Sequence, residues 1–462
     1  MSPISKSRIH MVGIAGAGMS GIAKVLIEKG ITVSGSDLQS NEVTRYLEDI
    51  GVIFFPGHDA SNLQEGVDLV VVSTAIPSDN PEVVMARQKN IPVIKRGQML
   101  ADLVNERDGI AVAGAHGKTT TTAMIYTVLE GCNQDPALIV GGELQGTHLN
   151  ACLGTGDLFI VEADESDASF LAIHPYIAVI TNIEDDHLDF YKTFERIQQA
   201  FTQFVEGIKP HGFAVLCGDY SEVRDVVKDT SIRHVFYGEH RDNLYRINNW
   251  RSKGIGSVFE VIVGGELLGE ISLSVPGKHN AINALAAIAV GMEIGLEFET
   301  IKNALVKFRG AKRRFELIGD CQQRIIVDDY AHHPTEIRAT IDAARTIHEG
   351  RLVVVFQPHR YTRTRQMGEQ LGVALEHADL AIITKVYAAG EKPIPGIDSQ
   401  LVYGAARNNG CQAVYIEEAA DVVKYLGQNS RDNDLIVTMG AGDVWRIGVE
   451  FLEILKNSIP QN

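Results

Sequence analysis

Two glycine-rich stretches and two acid-rich stretches hold the residue types from which phosphate chemistry is built. Gly16-Ala17-Gly18-Met19-Ser20-Gly21 has the GxGxxG spacing. Glycines so placed let backbone N–H groups approach a pyrophosphate at the start of a helix. Asp37 follows about twenty residues later, where a carboxylate reaches a ribose hydroxyl. By themselves these residues fit a nicotinamide, a flavin or another nucleotide, because the loop recognises a diphosphate and not a base.

Gly114-Ala115-His116-Gly117-Lys118-Thr119-Thr120 is more specific. Its N–H groups would cradle phosphates, Lys118 would reach the β and γ oxygens, and the Thr119 hydroxyl would bind Mg²⁺. Val112 stands where a full Walker A motif has its first glycine, so the form is a shorter GxxGKTT. Val161-Glu162-Ala163-Asp164-Glu165-Ser166-Asp167 and Thr181-Asn182-Ile183-Glu184-Asp185-Asp186-His187-Leu188-Asp189 place carboxylates, and one histidine, just after apolar runs. Carboxylates at that edge hold Mg²⁺ directly or through water.

These loops need strands that end beside one another. Ile9–Ile14, Thr32–Ser36, Val52–Phe55 and Asp68–Ser73 read as buried strands, with the helical stretch Gly21–Lys29 after the first glycine loop. Gly109–Ala113 begins a second unit, leading through the phosphate loop into the helical stretch Thr121–Glu130; Phe159–Glu162 and Ala178–Thr181 continue its sheet. Strand–helix alternation of this kind implies parallel sheets covered by helices. Ser257–Val263 and Leu267–Val275 around Gly264-Gly265 predict a hairpin, and Asn280–Gly295 an alanine-rich helix. After a linker at Lys307–Arg314, the runs Gln323–Asp328, Arg351–Phe356, Leu380–Thr384 and Asp434–Met439 restart the alternation. The expectation is three α/β domains, 1–106, 107–311 and 312–462.

Composition narrows the function classes. A net charge of −17 argues against a nonspecific nucleic-acid binder, which needs a basic surface to exchange for counterions. No apolar run approaches bilayer-spanning length, and the polar stretch Met1–Arg8 does not resemble a signal peptide. Five cysteines, odd in number and never CxxC, suit reduced thiols in the cytoplasm. Oligomeric state is left at monomer or homodimer.

In order along the chain, GAGMSGIA, SGSD, GAHGKTTTT, VEADESD, TNIEDDH, PGKHNAINA, RRFE, VDDYAHHPTE, FQPHRYTRTR and YAAGEKPIPG resemble the Mur ligases. That resemblance implies an N-terminal Rossmann-like UDP-binding domain, a central P-loop ATPase-type domain and a C-terminal Rossmann-like domain that binds the amino acid. The activity it implies is ATP-dependent ligation of L-alanine to UDP-N-acetylmuramate through an acyl phosphate, in peptidoglycan precursor synthesis. A ligase attaching a recycled tripeptide is its rival, and an NAD-dependent oxidoreductase the reading from another class. By the same resemblance Gly16, Gly18, Met19, Ser20, Gly21, Asp37, Ser73 and Thr74 serve the UDP-sugar, joined by His359, Arg360 and Arg363. Gly114 to Thr120, Asn280, Asn283 and Asp328 serve ATP. Thr119, Glu162 and His187 hold Mg²⁺, with Mn²⁺ an acceptable substitute on ligand chemistry. Lys118, His332, His333 and Arg360 are the implied catalytic residues, one of the histidines being a candidate base for the incoming amine.

Overall fold

Apolar strands buried on both faces form the centres of three sheets in the computed structural model, which describes residues 8–146 and 149–458. In the first, Arg8–Val12 is the centre of five parallel strands ordered Ile53–Pro56, Thr32–Asp37, Arg8–Val12, Leu69–Val72 and Val93–Lys95. The second and fourth strands flank the first, so their crossovers diverge and leave a crevice at its C-terminal end. The first strand stops at Val12, short of the expected Ile14, because Gly13 turns the chain at φ +80°. The Gly13 and Ile14 N–H groups both donate to the Ser36 carbonyl. The following helix starts at Ala17 rather than Gly21, which puts Gly18 and Gly21 inside it.

The second sheet has ten strands, in the order Glu266–Leu273, Gly256–Val263, Tyr245–Lys253, His234–Gly238, Phe213–Cys217, Ile177–Ile180, Asp108–Ala113, Leu158–Glu162, Ala137–Leu144 and Leu149–Cys152. Asp108–Ala113 pairs in parallel with Ile177–Ile180 on one side and Leu158–Glu162 on the other. The phosphate loop and both acidic loops therefore leave adjacent strands at the same edge. At the hairpin, Gly264 and Gly265 take φ +59° and +93°, the left-handed pair that a two-residue turn requires.

By packing, the chain forms two compact units. One runs to Asn248 and adds Glu260–Ile271 and Ile282–Phe308; the other takes Asn249–Phe259, Ser272–Ala281 and everything from Arg309. Within the first unit, the helix Ala17–Glu28 lies on Ala137–Leu144 and Leu149–Cys152. A methyl group on Gly21 would touch Ala151 Cβ and Ile139 Cγ2 at 3.4 Å. One apolar core runs continuously from Ile9 and Met11 through Ala111 and Val161 to Leu216.

The other unit holds six strands ordered Glu316–Cys321, Arg324–Asp329, Asp434–Met439, Arg351–Phe356, Leu380–Ile383 and Ala413–Tyr415, all pairs parallel except the first. Asp328 and Asp329 thus end beside Gly440, and Gly440 beside Gln357.

A largely buried polar cluster joins the strands Arg8–Val12 and Thr32–Asp37 to the helix Pro81–Gln88. The fully buried Glu82 carboxylate accepts from Ser36 Oγ at 2.8 and 2.9 Å, and pairs with His10 Nε2 at 2.6 Å and His58 Nδ1 at 3.0 Å. Burial alone would raise the Glu82 pKa, but the hydrogen bonds of His10, Ser36 and His58 overcome it and hold the carboxyl below its usual range. Because the folded value is depressed, the cluster's contribution is present above the unfolded pKa of about 4.3 and is lost as pH falls through the folded one. Glu82→Ala, which strands His10 and Ser36 in the core, is expected to cost about 3–5 kcal/mol in urea unfolding at neutral pH. That difference should shrink on acidification; an equal loss at pH 7 and pH 3 would contradict the assignment.

Candidate functional site

The phosphate loop owes its shape to two glycines that no other residue replaces. Gly114 sits at φ +132°, where a methyl group would lie 2.2 Å from Thr181 Oγ1 and 2.9 Å from the Asn182 carbonyl. Gly117 sits at φ +82°, with Asn283 Oδ1 2.8 Å from the equivalent point. The neighbouring strand end locks the loop between them. Ala115 N donates to Asn182 O at 3.3 Å, His116 N to Asn182 Oδ1 at 2.9 Å, and Asn182 Nδ2 to His116 O at 3.0 Å. The first-turn N–H groups of the helix Lys118–Gly131 have no partner within their own helix and face this loop. Such an arrangement binds anionic phosphate.

Lys118 folds back over the loop, donating to Gly114 O at 2.5 Å, Ala115 O at 3.3 Å and Glu165 Oε1 at 2.9 Å. Burial alone would lower its pKa; the carboxylates of Glu165, Asp164 and Glu162 outweigh burial and raise it. For Glu165 the balance is reversed. It is 3% exposed, and burial raises its pKa despite the lysine. Its other oxygen, Oε2, is buried without a hydrogen-bond partner among the described residues. Thr119 Oγ1 donates to Glu162 Oε2 at 3.0 Å, and Gly141 N reaches the same oxygen at 3.0 Å. His187, at φ 59°, places Nε2 3.7 Å from Glu165 Oε1 and 3.6 Å from Asp186 Oδ2. Of the expected metal ligands, Thr119 and Glu162 are thus in direct contact, whereas His187 turns to Glu165. Tyr191 holds the Glu165 carbonyl at 2.6 Å. Neither Glu165 nor Tyr191 stood out by spacing, since VEADESD offers four carboxylates and only the fold selects among them.

At the first glycine loop, Gly16 opens the helix and Asp37 accepts from Ala15 N at 2.9 Å and Leu38 N at 2.8 Å, so its carboxylate braces the turn. Ser73 follows the strand Leu69–Val72, its Cβ 3.0 Å from where a methyl on Gly13 would stand, and Thr74 beside it is exposed. Met19 and Ser20 are buried, Ser20 Oγ donates to Ala17 O, and Ser20 N donates to Gly16 O at 2.8 Å. Gly21 serves the packing described above.

In the other unit, Asn280 Nδ2 donates to Pro276 O at 2.7 Å at the start of the helix Lys278–Glu293. Asp328 is fully buried, its oxygens taken by Arg313 Nε at 2.8 Å and Thr438 Oγ1 at 2.7 Å. Arg313 also donates to Gly440 O and Gly442 O, so this aspartate anchors a loop. His333 caps the helix Pro334–Ile347. His332 and His359 lie 5.9 Å apart between ring centroids, and His359 stacks on Tyr387. Burial, with Arg363 nearby, pushes His332 down to about 3 and His359 to about 4. Arg360 is exposed, in the strained conformation φ 68°, ψ 138°.

A parallel α/β sheet with a GKT loop between two acid-ended strands defines a nucleotide-phosphate-binding protein. Three family models match in succession: "Mur ligase family, catalytic domain" over residues 8–108, "Mur ligase middle domain" over 112–291, and "Mur ligase, glutamate ligase domain" over 313–442. The chain is 60% identical over 455 residues to a UDP-N-acetylmuramate–L-alanine ligase of Syntrophomonas wolfei, covering 98% of each. It also matches the crystal structure of the UDP-N-acetylmuramate–alanine ligase of Thermotoga maritima (TM-score 0.84, 30% identity, 98% and 99% covered). A murein peptide ligase from Psychrobacter arcticus superposes with TM-score 0.72 at 26% identity, covering 98% of this chain and 100% of that one. The chain belongs to the Mur ligase family.

Gly114→Ala is expected to distort the loop and weaken binding of a nucleoside triphosphate by about tenfold or more, since φ +132° and the Thr181 contact leave the methyl no room. Fluorescent-nucleotide titration checks this, and unchanged affinity would remove the loop from the site.

Proposed function

We propose that this chain joins L-alanine to UDP-N-acetylmuramate at the expense of ATP, in the cytoplasm, as a step of peptidoglycan precursor synthesis. The observation that carries the reading is Lys118, paired with Glu165 in a glycine-locked loop between two strands that lead into acidic loops, in a chain so similar to curated L-alanine ligases. The domains 1–106, 107–311 and 312–462 would hold the UDP-sugar, ATP and the amino acid respectively. Free cysteines support a reducing compartment, and no helix among the described residues is long and apolar enough to cross a membrane.

The sugar's lactoyl carboxylate attacks the γ-phosphorus of ATP, forming an acyl phosphate and releasing ADP. The amine of alanine then attacks the acyl carbon, the amide forms and inorganic phosphate leaves. Lys118 and the first-turn N–H groups of its helix neutralise charge gathering on the transferred phosphoryl group. Thr119, Glu162 and His187, with Glu165 at hand, would hold Mg²⁺ or Mn²⁺. The unpartnered Glu165 oxygen and three carboxylates set against one lysine support that fit. When bound, the cation neutralises phosphate charge and aligns the oxygens. Arg360 and Arg363 are suited by their planar forks to the substrate's carboxylate or phosphate. The attacking amine must shed a proton. A histidine with a pKa near 3 has little driving force to take it, and His333 is committed to a helix cap. The phosphate oxygens of the acyl phosphate are the better acceptor.

Phosphate release should appear with UDP-N-acetylmuramate, ATP, Mg²⁺ and L-alanine together. Release only with a tripeptide would favour the peptide ligase, and none with any acceptor would sink the ligase reading. Lys118→Ala should lower kcat by at least about 10³-fold while leaving UDP-sugar affinity within about twofold. Near-normal turnover in that variant would overturn the ATP-site assignment.

A further inference from the structure

The second glycine of the first loop faces an arginine. A methyl group on Gly18 would stand 2.7 Å from Arg96 Nη1, 3.1 Å from its Cδ and 3.4 Å from Cζ. The guanidinium therefore lies across the first turn of the helix Ala17–Glu28, where a diphosphate would meet the N–H groups. Arg96 opens the helix Arg96–Asn105, and the next residue is pressed so closely on Ser169 that a methyl on Gly97 would be 2.4 Å from Ser169 Cβ. Its backbone is fixed, so only the side chain can be redirected. That side chain is engaged by one carboxylate: Nη2 donates to Asp164 Oδ2 at 3.3 Å. Asp164 belongs to the acidic loop that surrounds Lys118.

An arginine whose Nη1 lies against Gly18 and whose Nη2 makes one long contact to a carboxylate is a fork suited to an anion at this loop. We propose that Arg96 is a diphosphate ligand of the UDP-sugar, and that Asp164 competes with the substrate for its guanidinium. This rests on the assignment of the first glycine loop to the UDP-sugar. The competing description, a plain ion pair that fastens the two sheets of this unit together, makes the opposite prediction for one substitution.

Calorimetric titration with UDP-N-acetylmuramate separates them. Arg96→Ala should weaken binding by about tenfold to a hundredfold, the loss of one charged hydrogen-bonding group, and Arg96→Lys should recover part of it. Asp164→Asn should tighten binding by about fivefold, because the arginine is released to the substrate. Weaker or unchanged binding by Asp164→Asn, or a change under twofold in Arg96→Ala, overturns the proposal. Should Arg96→Ala fail to fold, the Arg96→Lys and Asp164→Asn arms decide it. A wild-type chain that binds neither UDP-N-acetylmuramate nor UDP instead refutes the loop's assignment. Wild-type binding that Arg96 does not influence refutes only the role given to that residue.

Discussion

Glu165 is buried at the end of a parallel sheet and Lys118, half-buried, is its ion-pair partner; a buried charge is tolerated only where its partner is fixed beside it. Much of the first unit serves that requirement. The strand Asp108–Ala113 carries the lysine loop, and its parallel neighbours carry Glu165 and Asn182 to the same edge. Antiparallel neighbours would send those loops to opposite edges. Glycines at 114 and 117 are the local cost of drawing the loops together, since any side chain there would fill the space now held by Thr181, Asn182 and Asn283.

Opposite charges offset one another around the acidic loop. One lysine offsets part of the field of Glu162, Asp164 and Glu165, while Arg96 draws on Asp164 from the first sheet. The same field raises the Lys118 pKa against the burial that would lower it. The C-terminal unit solves the converse problem. There Arg313, Arg360 and Arg363 gather around histidines, which burial and these cations keep neutral. The imidazoles pack against aromatic rings, His332 on Tyr330 and His359 on Tyr387.

The two units also differ in how the fold uses its conspicuous polar residues. Asp328, His333 and Asp37, each eye-catching at a strand end, are spent on holding backbone: an arginine staple, a helix cap and a turn brace. Glu165, Tyr191, Asn182 and Arg96, which no spacing rule singles out, do the positioning at the loops.

The phosphate loop, the glycine loop, the strand–helix rhythm and the hairpin at Gly264-Gly265 were legible in the residues alone, because each depends on neighbours only a few positions away. The family resemblance was legible for the same reason, as a string of local motifs in a fixed order. Element ends were read less well: the first strand stops before Ile14, where Gly13 at positive φ and the Ser36 carbonyl turn the chain, and the helix after it begins at Ala17, four residues before Gly21. Which of four carboxylates faces Lys118, which aspartates brace backbone, how far burial lowers His332, and that Arg96 lies on Gly18 were decided only by tertiary structure. Those facts depend on which strands become neighbours and on how much water is removed from each side chain, and both are set by contacts between residues far apart in the chain.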